Sequence, residues 1–166
     1  MRASKAMNSA GNGKLVNVTL REITAETVGK IIRLDVEDSQ RRFVASNAIS
    51  LAQALFAPDA WFRAIYSDEE PAGFVMLSDE SASDPVPEAP EIMIWRFMID
   101  KNYQNRGIGR QALHLVVDQA RRRKIFSCLY VSFVPGEGSP EGFYTGFGFK
   151  PTGAVEDGEV ILKIEL

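Results

Sequence analysis

Apolar and polar residues alternate from Val16, with Val16, Val18 and Leu20 set against Asn17, Thr19 and Arg21. That period of two predicts a half-buried strand. Thr24 then stands at an N-cap position with Glu26 in the following turn, which predicts a helix to about Leu34. A second helical stretch is expected from Asp38 to Leu55, interrupted near Ser46-Asn47 and ended by Pro58. Strands are expected at Trp61–Tyr66 and Ala72–Leu77, joined by the turn residues Ser67 to Pro71. Glu91–Ile99 carries apolar residues on both faces, so it reads as a central, buried strand. Gly107–Lys124 shows helical spacing through Ile108, Ala112, Leu115 and Val116. Its end holds Arg121, Arg122, Arg123 and Lys124, the charge sign that a helix C-terminus favours. Ser127–Phe133 is a further buried strand, followed by a short helix near Glu141–Thr145. Strands at Lys150–Val155 and Glu159–Glu165 flank the hairpin turn Asp157-Gly158.

The expected order is β-α-α-β-β-β-α-β-α-β-β, in one domain over residues 15–166. An antiparallel middle followed by a strand–helix–strand unit indicates an α/β (α+β) fold with a mixed, mostly antiparallel central sheet flanked by helices. Residues 1–14 lack periodicity and read as a disordered extension. Residues 78–90 hold three prolines and read as a surface loop.

Composition narrows the chemistry. The 166 residues are 45% hydrophobic and 25% charged, near the average for a globular domain, with a net charge of -3. That charge argues against a nucleic-acid partner held by excess positive charge. No apolar run approaches the length of a membrane span. One cysteine, Cys128, excludes an intrachain disulfide, and one histidine, His114, excludes a site needing two. No metal site is expected, and a cytoplasmic setting is.

The segment Met98 to Arg110 (MIDKNYQNRGIGR) carries the most chemical information. A buried strand ends, a polar turn follows, and two glycines open an amphipathic helix. Unpaired N–H groups at such a helix start, with Arg106 and Arg110 close by, suit a phosphate or pyrophosphate. Three readings compete. Gly107 and Gly109 can simply serve a tight turn into the helix. Gly107 to Ala112 formally matches the dinucleotide fingerprint G-x-G-x-x-A, but residues 100–106 separate it from the strand end, where that motif needs its first glycine. The third reading takes Gln104-Asn105-Arg106-Gly107-Ile108-Gly109 as Q/R-x-x-G-x-G/A.

That motif resembles the pyrophosphate-binding motif of the GNAT superfamily of acetyl-CoA-dependent N-acetyltransferases. Phe143-Tyr144-Thr145-Gly146-Phe147-Gly148-Phe149 is similar to the family's Y-x-x-x-G-F, and the element order matches its fold. The resemblance is closest to bacterial spermine/spermidine (diamine) acetyltransferases. It runs through Phe43–Asn47, Ser50–Ala54, Trp95–Asp100, and Thr152-Gly153 leading to Asp157–Val160.

The resemblance implies direct attack of an amine on the thioester of acetyl-CoA in a ternary complex. It implies that Gln104, Asn105, Arg106, Gly107, Ile108, Gly109 and Arg110 hold the pyrophosphate. Met98 and Ile99 would pair their backbone with the pantetheine arm. Tyr144 is the candidate general acid for the leaving thiolate; residue type alone favours a packing tyrosine, and the matched motif position reverses that preference. Glu37 and Asp38 are candidates to recognise a cationic amine, and Trp95 to flank an ammonium. Each also has a plain reading, as solvated charges and a core aromatic. The general base stays open between Glu91 and a water relay. Glu137 stands where the family often has a CoA-binding asparagine, and a carboxylate cannot donate that hydrogen bond. Residues 66–95 hold eight acidic residues and no Lys or Arg, which suits a cationic substrate on that side. The acceptor implied is a small-molecule amine, foremost a polyamine such as spermidine or spermine. Alternatives are a protein N-terminus, a lysine, an amino acid, an antibiotic amine, or a non-catalytic acyl-CoA sensor. A homodimer is compatible with the family.

Overall fold

The alternating and continuous apolar runs form seven strands: β1 (Val18–Arg21), β2 (Ala60–Ser67), β3 (Glu70–Asp79), β4 (Ile92–Ile99), β5 (Cys128–Phe133), β6 (Lys150–Glu156) and β7 (Glu159–Glu165). Four helices accompany them among the described residues: α1 (Val28–Ile31), α2 (Asn47–Ala54), α3 (Ile108–Arg123) and α4 (Glu141–Phe147). The computed structural model describes residues 16–166; the expected N-terminal extension, 1–14, lies outside them. The strands make one sheet in the order β1-β2-β3-β4-β5-β7-β6. Every neighbouring pair is antiparallel except β4 and β5, whose parallel pairing is what a crossover through α3 permits.

Helices cover both faces. On one face, Ile108, Ala112, Leu113, Val116, Val117 and Ala120 of α3 pack on Ile65, Val75, Leu77, Ile94, Leu129 and Leu162. The expected stripe is therefore present, with Leu113 fully buried and Leu115 half-buried at its edge. On the other face, Ile31 and Val36 meet Ala64, Tyr66, Phe74, Met76 and Met98, with Val44 and Leu51 packed beside them. The middle strands β3 and β4 are thus shielded on both sides, which their unbroken apolar runs require.

The first helix is shorter than the sequence suggests. Thr27, not Thr24, precedes it, and the Thr24 carbonyl accepts hydrogen bonds from the N–H groups of Thr27 and Val28. The helix stops at Ile31, and just beyond it the Asp35 N–H donates to the buried Asp100 carboxylate at 2.9 Å. A bond to a residue so distant in sequence overrides local helix preference. The stretch from Asp38 to Leu55 is less helical than expected: only a short 3-10 turn forms at Asp38–Gln40, residues 41–46 are turn and coil, and α2 starts after its N-cap Ser46.

Gly73 on β3 faces Ile99 on β4. A Cβ there would lie 2.4 Å from the Met98 carbonyl oxygen and 2.9 Å from Ile99 Cδ1. Backbone cannot yield as a flexible side chain does, so Gly73→Ala must push the end of β4 outward. Overpacking of this kind costs about 1–3 kcal/mol. The expected outcome is a melting temperature several degrees lower, together with weaker binding at the end of β4. An unchanged melting curve would show that β3 and β4 do not approach this closely.

Candidate active site

Two irregularities in β4 create the site. Its parallel pairing with β5 covers only Ile92–Leu129, Met93–Tyr130 and Ile94–Val131, although both strands continue. Against β3, Met76 faces Arg96 and Leu77 faces Ile94, so Trp95 is an extra residue. Such a bulge bends its strand and increases the twist. From Trp95 onward β4 parts from β5, and its backbone groups on that side have no strand partner. An unpaired edge is a template for an extended ligand. The divergence opens a cleft of about 1130 Å³, lined by β4 from Met93 to Ile99, β5 from Val131 to Phe133, and residues of the flanking loops and helices.

At one end of the cleft the chain turns from β4 into α3. Asp100 organises that turn: its buried carboxylate accepts from the Asn102 N–H and Nδ2, both at 2.9 Å, and from the Asp35 N–H. Gln104 Nε2 donates to the Ile99 carbonyl at 2.9 Å and to Gln40 Oε1 at 2.8 Å, joining strand end, turn and the 3-10 segment. Asn105 and Gly107 both take positive φ, 59° and 76°, which reverses the chain tightly enough to present the helix start. Gly107 is the N-cap of α3 and supplies no capping side chain, and the first turn holds no acidic residue. The first intrahelical bond runs from the Gln111 N–H to the Gly107 carbonyl at 3.1 Å, so the N–H groups of Ile108, Gly109 and Arg110 have no helical acceptor. A Cβ on Gly109 would sit 3.3 Å from Ile99 and 3.5 Å from Phe143, so bulk there enters the cleft wall. Free donors, the helix dipole and Arg110 make this end suited to an anion.

The opposite wall comes from α4. Tyr144 lines the cleft yet is only 5% exposed, packed edge-on against Phe143 at 5.2 Å and Phe149 at 5.6 Å between ring centres. Burial pushes its phenol well above the usual tyrosine range, so it stays protonated at any ordinary pH. The glycines that the sequence places in this segment do not prevent the helix.

Beyond the bulge lies a third group of polar residues. Arg96 stacks over Trp95 at 5.3 Å and donates to the Trp95 carbonyl at 2.9 Å and to Gln53 Oε1 at 3.2 Å. Its Nε is buried without a partner. Burial lowers the guanidinium's pKa, and the charge of Glu159 works against that lowering. Glu159, at the start of β7, accepts a hydrogen bond from Ser132 Oγ on β5. Arg42 reaches over the cleft to the Glu137 carbonyl, and Phe43 lies beside Gly138. Glu137 is engaged through its backbone, and its side chain is absent from the lining.

Most of the residues expected from sequence gather here. Met98, Ile99, Gln104, Asn105, Gly107, Gly109, Arg110, Trp95 and Tyr144 all line the cleft. Arg106 does not; its guanidinium lies over the Tyr103 ring at 5.5 Å. Ile108 is 1% exposed and belongs to the core under α3. Glu37 and Asp38 also lie outside the lining: the Glu37 N–H donates to Gln40 Oε1, and Asp38 pairs with Arg41 at 3.2 Å. His114 sits on the exposed flank of α3 against Phe147, and Cys128 is buried, as their patterns suggested. Arg96, Ser132 and Glu159 were not singled out by sequence. Glu159 directly follows the recognisable Asp157-Gly158 turn, but nothing local shows that the turn delivers it to the cleft. No group of three or more metal-ligating side chains occurs among the described residues, and none of their helices is long and apolar enough to cross a membrane.

Comparison with known proteins agrees with this geometry. The chain is 23% identical over 154 residues to a probable spermine N(1)-acetyltransferase of Bacillus subtilis subsp. natto, covering 91% of this chain and 100% of the relative. It is 22% identical, over the same shares, to the spermine/spermidine N(1)-acetyltransferase of Bacillus subtilis strain 168. Its fold superposes on the PaiA N-acetyltransferase of Thermoplasma acidophilum, solved in complex with coenzyme A, with a TM-score of 0.65 at 14% identity, covering 90% of this chain and 99% of that one. The model of the acetyltransferase (GNAT) family matches residues 21–149. The cleft between two diverging strands, the glycine-opened helix at its end and the match over most of the chain place this protein in the GNAT family of acetyl-CoA-dependent N-acetyltransferases.

Proposed function

We propose that this protein transfers the acetyl group of acetyl-CoA directly to a primary amine, foremost a terminal nitrogen of spermidine or spermine, with both substrates bound at once. The observation that carries the reading is the unpaired edge of β4 leading straight into the uncapped N-terminus of α3. A pantetheine arm is an extended chain of amides, and a strand edge recognises such a chain through main-chain hydrogen bonds. The pyrophosphate then meets the N–H groups of Ile108, Gly109 and Arg110 and the Arg110 charge. A backbone N–H of β4 near the bulge would stabilise the negative charge that develops on the thioester oxygen.

Tyr144 is the proposed proton donor to the departing thiolate. Its raised pKa makes it a weaker acid than free tyrosine. The same apolar surroundings destabilise the thiolate and raise its affinity for a proton, so burial shifts donor and acceptor together. Support for a polyamine acceptor comes from the two relatives named for spermine and spermidine, and from the exposed carboxylates Glu37 and Asp38 beside the cleft. Yet Glu159 is the sole carboxylate among the lining residues, against Arg41, Arg42, Arg96 and Arg110. That balance favours an amine that presents one ammonium to the cleft and keeps its other charges outside.

Thiol release from acetyl-CoA should be well above background with spermidine or spermine, and lower with lysine, a short peptide or an aminoglycoside. Equal release with every amine would remove the polyamine assignment, and clear CoA binding with no release would indicate a sensor. Tyr144→Phe should slow turnover by about 100-fold or more with CoA affinity nearly unchanged; wild-type turnover would remove the proposed acid. Because the phenol stays protonated, the wild-type rate should show no falling limb from Tyr144 below about pH 10. Gly109→Trp should abolish CoA binding, and wild-type binding would mean that the phosphate lies elsewhere.

A further inference from the structure

The acetyl-transfer reading leaves unassigned the residue that holds the acceptor nitrogen and removes its proton, and the inference here rests on that reading. A primary amine is protonated at neutral pH, so attack requires a proton acceptor beside it. Glu91, the carboxylate nearest this role in the sequence, is exposed and does not line the cleft.

We propose that Glu159 is the anchor for the acceptor's ammonium and the base that receives its proton. Three observations converge on it. It is the single carboxylate lining the cleft among the described residues. It is half-buried, and Ser132 Oγ donates to it from β5, the strand that turns away from β4. Finally, Arg96 lines the same cleft from β4, and the two side chains form no ion pair. A carboxylate oriented by a hydroxyl, near but not paired with a cation, is free to take a second hydrogen bond from substrate.

The other charged and titratable groups around it are consistent with this role. Arg96 approaches from β4 and is tethered to the Trp95 carbonyl and Gln53. Ser132 approaches from β5. On β6, Glu156 is the register partner of Glu159 and is exposed, with Asp157 in the turn between them. Tyr144 stands in the same cleft on α4. The fixed charge of Arg96 in the same lining disfavours a second positive charge at the reacting end. The subsite therefore accepts one ammonium whose nearest neighbouring charge is several bonds away, as at the end of an aliphatic polyamine.

The proton balance is complete. Glu159 takes one proton from the ammonium and passes it to water. The neutral nitrogen then attacks the thioester carbon, forming the C–N bond, and the C–S bond breaks. The thiolate takes its proton from Tyr144. The proton still carried by the new amide nitrogen returns, through solvent, to the tyrosine. The net products are the N-acetylated amine, CoA thiol and one proton.

Glu159→Gln keeps the shape and the Ser132 contact site but removes the charge. With spermidine at pH 7 it should lower kcat/KM by about 100-fold, with acetyl-CoA affinity within twofold of wild type. The deficit should shrink as pH rises, because solution then supplies the free amine, a recovery that a merely structural defect would not show. Glu156→Gln, which removes a neighbouring charge outside the cleft, should behave as wild type. Calorimetric binding of spermidine to the CoA-saturated protein should weaken at least tenfold in Glu159→Gln. A variant within threefold of wild type in kcat/KM at pH 7, or a deficit independent of pH, would overturn the base. Unchanged spermidine affinity would overturn the anchor. If wild-type protein released no thiol with any amine, the transfer reading and the base would fall together, while the calorimetric result would still decide the anchor.

Discussion

The separation of β4 from β5 after Ile94 is the constraint on which the rest of this molecule depends. A parallel pair in the middle of a sheet would ordinarily satisfy its backbone to the end. Here one extra residue, Trp95, in the pairing with β3 bends β4 away and leaves a stretch of donors and acceptors without a strand partner. Such a stretch is tolerable because it faces a cleft open to water and substrate. The close approach of Gly73 to the Met98 carbonyl holds the bent strand from behind. The buried Asp100 carboxylate and Gln104 then fix the turn that brings α3 to the end of the same edge. Strand edge and helix start become one continuous binding surface.

The cleft divides electrically. At the α3 end, free N–H groups and Arg110 favour an anion. Arg41 lines the cleft but is tied to Asp35 and Asp38, and its hydrogen bond to Asp35 holds that carboxyl below its usual pKa. Arg42 is engaged by the Glu137 carbonyl. Beyond the bulge, Arg96 and Glu159 both line the cleft. The proposed reacting centre would lie between the end suited to an anion and the one carboxylate in the described lining.

Much of this was legible in the residues. Strands at 92–99 and 128–133 and the helix at 108–123 carry strong local periodicity, and their expected limits fall within a residue or two of those observed. The glycine-opened turn was readable because Gln104, Gly107 and Gly109 act locally, each within a few residues of the strand end. The features that escaped depend on contacts distant in sequence. The first helix is short because the chain just beyond it is drawn to Asp100. Arg106 and Ile108 belong to the right motif but point one to an aromatic ring and one to the core. Glu37 and Asp38 stand beside the cleft rather than in its lining, because Gln40 and Arg41 engage that segment locally. Glu159 and Arg96 line one cleft only because β4 and β5 diverge after Ile94, which leaves no local signal.

The central claim is that the freed edge of β4 receives an extended ligand and α3 receives its phosphates. Amide hydrogen exchange on the protein, free and saturated with acetyl-CoA, tests both directly. The account predicts new protection at those β4 amides between Trp95 and Ile99 that do not pair with β3, and at Ile108, Gly109 and Arg110, with little change along β1 and β2. Protection confined to other loops, with β4 and the start of α3 exchanging as before, would contradict it.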